Sequence, residues 1–248
     1  MGVTTVRVSV FRGDGTGGEM VAYPVPVREG MVVLDAVLWI QANMAPDLAV
    51  RWNCKAAKCG SCSAEIDGFP RLMCKSPVSD YGAALGVRPL RTFPVIRDLV
   101  TDVSWNYEVN RRIPPFTPSD ADAEDPEPWR MRQEDVARVI EFRKCIECFL
   151  CQDVCHVLRE HDRKDAFSGP RMMIRAASLE MHPRDVLDRR PLLKGEAGIG
   201  MCNVTKCCTE VCPEHIHITD NAIIPLKERV ADRYFDPLRW AARRLRGS

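Results

Sequence analysis

Between residues 145 and 155 the chain reads Cys145-Ile-Glu-Cys148-Phe-Leu-Cys151-Gln-Asp-Val-Cys155. Four thiols separated by two, two and three residues constrain this segment more than any hydrophobic pattern does. A loop this short can wrap Cys145, Cys148 and Cys151 around one face of an iron–sulfur cluster and turn backbone N–H groups towards its sulfides. Cys155, expected one turn into a following helix, points away from that face and requires a second partner segment.

That segment lies near the C-terminus. Cys202-x5-Cys208-x3-Cys212-Pro213 has the frame of a second such run with one member missing, at the position held by Thr205. In runs of this bacterial-ferredoxin type the fourth cysteine ligates the other cluster. Cys145, Cys148 and Cys151 are therefore expected to take Cys212 and hold a 4Fe–4S cluster. Cys155 joins Cys202 and Cys208, and three thiolates with an empty corner at Thr205 favour a 3Fe–4S cluster. Cys207 is left over: it could fill the vacant corner, but adjacent residues rarely serve one small cluster and Cys208 is already a ligand, so a packed, weakly polar thiol is the simpler reading.

A third group precedes both: Cys54-x4-Cys59-x2-Cys62-x11-Cys74. Its first three spacings are those of plant-type 2Fe–2S ferredoxins, with the fourth ligand supplied from elsewhere. A four-cysteine zinc site would pair one short Cys-x2-Cys with another. The lone Cys74 after a hairpin fits the iron–sulfur loop better than zinc or inert buried thiols.

Composition agrees with metal ligation. Met1 to Val10 holds no apolar segment behind a basic start, so the expectation is a chain kept in a reducing compartment, where twelve cysteines read as ligands and not as disulfides. A formal net charge of +1 gives no field for nucleic acid. No apolar run approaches the roughly 20 residues of a membrane-spanning helix. His215 and His217 read as polar residues beside a cluster loop, and Trp240 as part of a solvated basic helix end.

The N-terminal third alternates as strands do: Val6, Val8 and Val10, then Met20 to Val27 across a glycine-rich turn. Pro24 and Pro26 rule out a helix there, and with it a phosphate loop. Val33, Leu34, Val37, Leu38 and Gln41 fall at helical spacing, a strand is expected at Ser63 to Ile66 before an Asp67-Gly68 turn, and Asp98 to Arg112 reads as a helical connector. Ile113 to Trp129, rich in proline and acid, reads as an exposed linker. Helices are expected at Met131 to Arg143, after Cys151, and at Pro170 to Met181, entered through Ser168-Gly169-Pro170. The domains expected are 1–105, a connector and linker at 106–129, and a helical domain at 130–248.

The order of these motifs resembles the iron–sulfur subunit of succinate dehydrogenase and fumarate reductase. Cys59-Gly-Ser-Cys62, Ile66-Asp67-Gly68, Phe93-Pro-Val-Ile-Arg-Asp-Leu-Val100, Cys145-Ile-Glu-Cys148, Gly169-Pro-Arg171 and Cys212-Pro213 carry the likeness over residues 3 to 230. The resemblance implies an α+β fold: a β-grasp 2Fe–2S ferredoxin-like domain followed by an α-helical bacterial-ferredoxin-like domain. It implies a flavoprotein partner oxidising succinate at covalent FAD, and a membrane-anchor partner handling quinone. Electrons would pass from the 2Fe–2S to the 4Fe–4S to the 3Fe–4S cluster, on a peripheral subunit at the cytoplasmic face of the inner membrane.

Three departures stand out. Lys55-Ala-Ala-Lys58 replaces the family's usual Arg-Glu-Gly stretch. His156 stands where proline is usual, with no tryptophan in the residues after it, and Asn203 where histidine is common. The last two lie where family members form a quinone pocket, so a divergent anchor is expected. Two other functions fit the cysteines: the same wire in a soluble or thiol-linked fumarate reductase, and a zinc-stabilised interaction module.

Overall fold

The structure, a computed structural model, describes residues 4–119 and 130–237. It divides into two compact units: Met1–Trp105 with Ile146–Val154 and Val211–Glu214, and Asn106–Cys145 with Cys155–Glu210 and His215–Ser248.

The first unit is built on a mixed sheet of β1 (Thr4–Asp14), β2 (Gly17–Val27), β3 (Ser63–Ile66), β4 (Phe69–Leu72), β5 (Ala84–Arg88), β6 (Val95–Arg97) and β7 (Val100–Thr101). β1 and β2 form a hairpin in register from Thr4 opposite Val27 to Asp14 opposite Gly17. Thr16 closes its turn, donating from its N–H and hydroxyl to Asp14 Oδ1 at 2.8 and 2.6 Å. The glycine run is thus a hairpin turn. Pro24 and Pro26 are tolerated because β2 pairs only with β1.

The strand order is β4-β3-β5-β1-β6-β7, with β1 and β5 parallel and the other pairs antiparallel. Helix α1 (Val33–Asn43) lies on this sheet and buries Val33, Leu34, Ala36, Val37 and Ile40 in one core with Val6, Val8, Val10, Val25 and Val87. This is the expected ferredoxin-like half of an α+β chain.

One connection differs from the sequence expectation. Helix α2 spans Ser104–Arg112 and does not begin at Asp98. Asp98 is left-handed at φ 49° and only 2% exposed. Its carboxylate accepts the N–H groups of Gly13 at 3.0 Å and Ala49 at 2.8 Å, and Arg12 Nε at 3.1 Å. An aspartate so fully used by distant donors cannot start a helical turn.

The second unit is helical, with α3 (Gln133–Ile140) followed by a 3₁₀ turn (Glu141–Lys144), then α5 (His156–Arg159), α6 (Pro170–Glu180), α7 (Arg190–Lys194), α8 (Cys207–Glu210) and α9 (Ile224–Tyr234). The short α4 (Leu150–Asp153) belongs to the first unit. Gly169 at φ 85° turns the chain into α6, whose Pro170 fills a position where no N–H is needed.

The residues opening the proline-rich stretch are tied down, although Pro115, Phe116 and Pro118 are exposed. Arg189, 1% exposed, donates Nε to Pro114 O at 3.1 Å and Nη2 to Pro115 O at 2.5 Å. Val186 N–H reaches Thr117 O at 3.0 Å, and Phe116 meets the His182 ring edge-on. Prolines lack N–H groups but present free carbonyls, which a guanidinium fork can collect. Asp185 Oδ2 lies 2.9 Å from Arg189 Nη2, off the line of an aligned hydrogen bond, with both side chains wholly buried. Arg189→Leu is therefore expected to cost about 3–5 kcal/mol by leaving Asp185 without its counter-charge. Thermal unfolding of the purified complex reads this, and a loss under about 1 kcal/mol would contradict it.

Candidate metal centres

Each cysteine loop forces its backbone into an unusual conformation. Lys55 and Ala57 (both φ 55°), Glu147 (55°) and Phe149 (60°), and Val204 (63°) and Lys206 (65°) are all left-handed. These six are among ten such non-glycine residues in the described chain. A left-handed residue with a side chain costs about 1–2 kcal/mol, more for β-branched Val204. Alternating hands of backbone turn successive N–H groups to one side, making the anion-binding concavity found at phosphate and iron–sulfur sites. In the first loop the N–H groups of Ala56 and Lys58 both point at Cys54 Sγ, each at 3.3 Å.

The second and third loops share one conformation. Left-handed residues stand two and four places after the first cysteine in both (Glu147 and Phe149 after Cys145, Val204 and Lys206 after Cys202). A helical turn then begins five places after it in both, at Leu150 and at Cys207. Thr205 therefore occupies the backbone position that Cys148 holds in the other loop. This repeat is absent from the sequence except for the cysteine spacing.

Within the first unit the loops are packed together. Gly60, at φ 68°, is buried so closely against Cys148 that a Cβ there would lie 2.6 Å from Cys148 Cα. Ser63 Oγ sits between them and bonds both Gly60 O at 2.8 Å and Cys148 O at 2.9 Å. Thr92 holds α4 from the other side, through its N–H to Asp153 Oδ1 at 3.0 Å and its hydroxyl to Asp153 O at 3.2 Å. Phe93 meets Phe149 edge-on with ring centroids 6.2 Å apart.

Cys155 departs from its expected place within a helix. α4 ends before it, and Cys155 caps α5 from extended backbone at φ −69°, ψ 110°. Its carbonyl accepts the N–H groups of Leu158 at 2.9 Å and Arg159 at 2.7 Å. In the second unit Cys155, Cys202, Cys207 and Cys208 converge, each of Cys155 and Cys208 feeling the charge of both Cys207 and Cys202. Lys227 Nζ caps Cys202 O at 2.6 Å, and Thr219 Oγ1 lies 3.5 Å from Cys208 Sγ.

The thiols need a metal's charge to ionise together. Burial pushes Cys62 up to about 12, Cys155 up to about 11 and Cys208 up to about 12. At Cys59 burial works the same way, but hydrogen bonds from Ser61 and Cys54 outweigh it and bring the thiol down to about 6. Buried sulfurs that repel one another, under converging N–H donors, suit a positively charged core and release their protons on binding it. The residues present thus fit iron–sulfur clusters. All twelve cysteines are free thiols. Among the described residues, no three His, Cys, Asp or Glu side chains close around a point the size of a single ion.

Several other sequence candidates find places. His217 donates its N–H to Glu141 Oε1 at 2.9 Å and sets Nδ1 2.7 Å from it, while Asn221 Nδ2 reaches Oε2 at 2.5 Å. Burial opposes ionisation of Glu141, yet these bonds hold its carboxyl below the usual range. His217 thus ties down the loop after Cys212, a job that nothing in the sequence assigned to Glu141. His215 is left-handed and exposed, and His156 packs edge-on against His161. Trp240 lies outside the described residues.

Known proteins are similar to this chain. Residues 5–108 match the 2Fe-2S iron-sulfur cluster binding domain, and residues 141–216 the 4Fe-4S dicluster domain. The fumarate reductase iron-sulfur subunit of Haemophilus influenzae is 32% identical over 207 residues, 78% of this chain and 80% of that one. That of Mycobacterium tuberculosis is 31% identical over 203 residues, 79% of each. A chain of the Mycobacterium smegmatis Sdh1 complex in the apo form is 60% identical, with a TM-score of 0.91 over 95% of this chain and 99% of that one. Cysteine loops, fold and relatives agree, and the chain belongs to the succinate dehydrogenase/fumarate reductase family of iron–sulfur subunits.

Proposed function

We propose that this chain is the electron-transfer subunit of a succinate:quinone oxidoreductase. The observation that carries the reading is its 60% identity, over nearly its whole length, to a chain of the Sdh1 complex. Cys54, Cys59, Cys62 and Cys74 hold the 2Fe–2S cluster. Cys145, Cys148, Cys151 and Cys212 hold the 4Fe–4S cluster, and Cys155, Cys202 and Cys208 the 3Fe–4S cluster. Along the sequence, residues 1–105 carry the ligands of the first centre, 106–129 are the connection, and 130–248 carry those of the other two, with Ile146–Val154 and Val211–Glu214 belonging to the first compact unit.

Bound iron–sulfur clusters supply one-electron oxidation and reduction without bond rearrangement. The chain's own residues do the rest. Thiolates fix the metals, and left-handed loop residues aim N–H donors at the sulfurs, stabilising the more negative reduced charge. Gly60 and Ser63 keep the loop of Cys59 against that of Cys148, the close approach that single-electron hopping needs. Succinate chemistry falls to a flavoprotein subunit carrying FAD, and quinone chemistry to a membrane-anchor subunit. Among the described residues no helix is long and apolar enough to cross a membrane. As a subunit held by that anchor, the chain is placed peripherally, on the cytoplasmic face.

Electron paramagnetic resonance of the intact complex tests this. Succinate is expected to reduce the 2Fe–2S centre and abolish a near-isotropic signal of the oxidised three-iron centre, with dithionite completing the reduction. A colourless, zinc-containing complex, or centres inert to succinate, would overturn it.

A further inference from the structure

The spare thiol is placed where the third centre is incomplete. Thr205 stands at the backbone position that Cys148 fills in the sister loop, and it is exposed. Cys207 Sγ lies 3.4 Å from Thr205 Oγ1, beside that corner. It is half-buried and begins α8. Leu150, at the equivalent place in the sister loop, is an apolar core residue only 1% exposed. A thiol in its stead adds a metal ligand to a site already one short.

We propose that Cys207 is a latent fourth ligand, by which the third centre captures ferrous iron and converts from 3Fe–4S to 4Fe–4S. The step balances without an outside oxidant or reductant. The one-electron-reduced three-iron core is formally neutral, and it takes up Fe²⁺ to give the 4Fe–4S core of charge 2+. The Cys207 S–H bond breaks, a new Fe–S bond forms, and the proton leaves to water. Loss of Fe²⁺, with a proton returning to the Cys207 sulfur, reverses it. The centre would then respond to iron supply, its redox range moving with cluster type.

This rests on the ligand assignment proposed above, and one experiment separates the two. The intact complex is purified as wild type, Cys207→Ala and Cys207→Ser, reduced anaerobically with dithionite, incubated with ferrous iron, freed of excess iron with a chelator, and reoxidised mildly. Absence of the near-isotropic signal from untreated wild type would defeat the ligand assignment itself. Given that signal, wild type is expected to lose most of it while gaining one iron per chain by Mössbauer and metal analysis. Both variants are expected to keep it. Equal loss in wild type and variants, or persistence in wild type, would overturn the proposal. So would absence of the signal from both variants before treatment, since Cys207 would then be a resident ligand.

Discussion

Cys155→Ala is expected to erase the third centre and leave the first intact. The thiol is 5% exposed, and two thiolates, Cys202 and Cys208, cannot hold a trinuclear core alone. The substitution should not unravel the chain around it, because the Cys155 carbonyl, not its side chain, receives the Leu158 and Arg159 N–H groups that start α5. The near-isotropic oxidised signal should vanish, quinone reduction should fall to background, and the reduced 2Fe–2S signal should persist. Survival of the three-iron signal would show that Cys155 serves elsewhere.

The second large effect is predicted at Gly60→Ala. At φ +68° a side chain costs about 1–2 kcal/mol. The new methyl would stand 2.6 Å from Cys148 Cα, 2.9 Å from its Cβ and 3.0 Å from its N, so backbone must move, at about 1–3 kcal/mol more. The combined loss of roughly 2–5 kcal/mol falls on the seam between two ligand loops. It should appear as lowered 2Fe–2S content and impaired reduction of the 4Fe–4S centre by succinate. Gly86→Ala is the control: its nearest neighbours, Asp67 Oδ1 and Met20 Cε, lie at 3.5 and 3.7 Å, and cluster content should be unchanged. Equal behaviour of the two variants would contradict the packing argument.

Much of this was legible in residue order, for physical reasons that differ from place to place. Ligand spacing is set by the size of a cluster, so the cysteines announce it directly. Alternation in Val6, Val8 and Val10, and Pro170 behind Gly169, report local geometry that needs no distant partner. The misread stretches are those where a distant group decides. Asp98 looks like part of a helical connector until Gly13, Ala49 and Arg12 claim its carboxylate. The prolines at 114 and 115 look like tether until Arg189 binds their carbonyls. The left-handed residues were invisible for a related reason. Lys55, Glu147, Phe149, Val204 and Lys206 have no preference for that conformation, and loop closure imposes it on them. Glu141 gave no signal either, lying 76 positions from His217.

The central claim is the division of ligands: Cys212 crosses to the centre of Cys145, Cys148 and Cys151, and Cys155 crosses to that of Cys202 and Cys208. An iron-edge anomalous difference map of the crystallised complex tests it most directly. Three separate iron peaks are expected, with Cys155 beside the peak of Cys202 and Cys208, and Cys212 beside that of Cys145, Cys148 and Cys151. A single peak bound by both Cys155 and Cys212 would contradict the account.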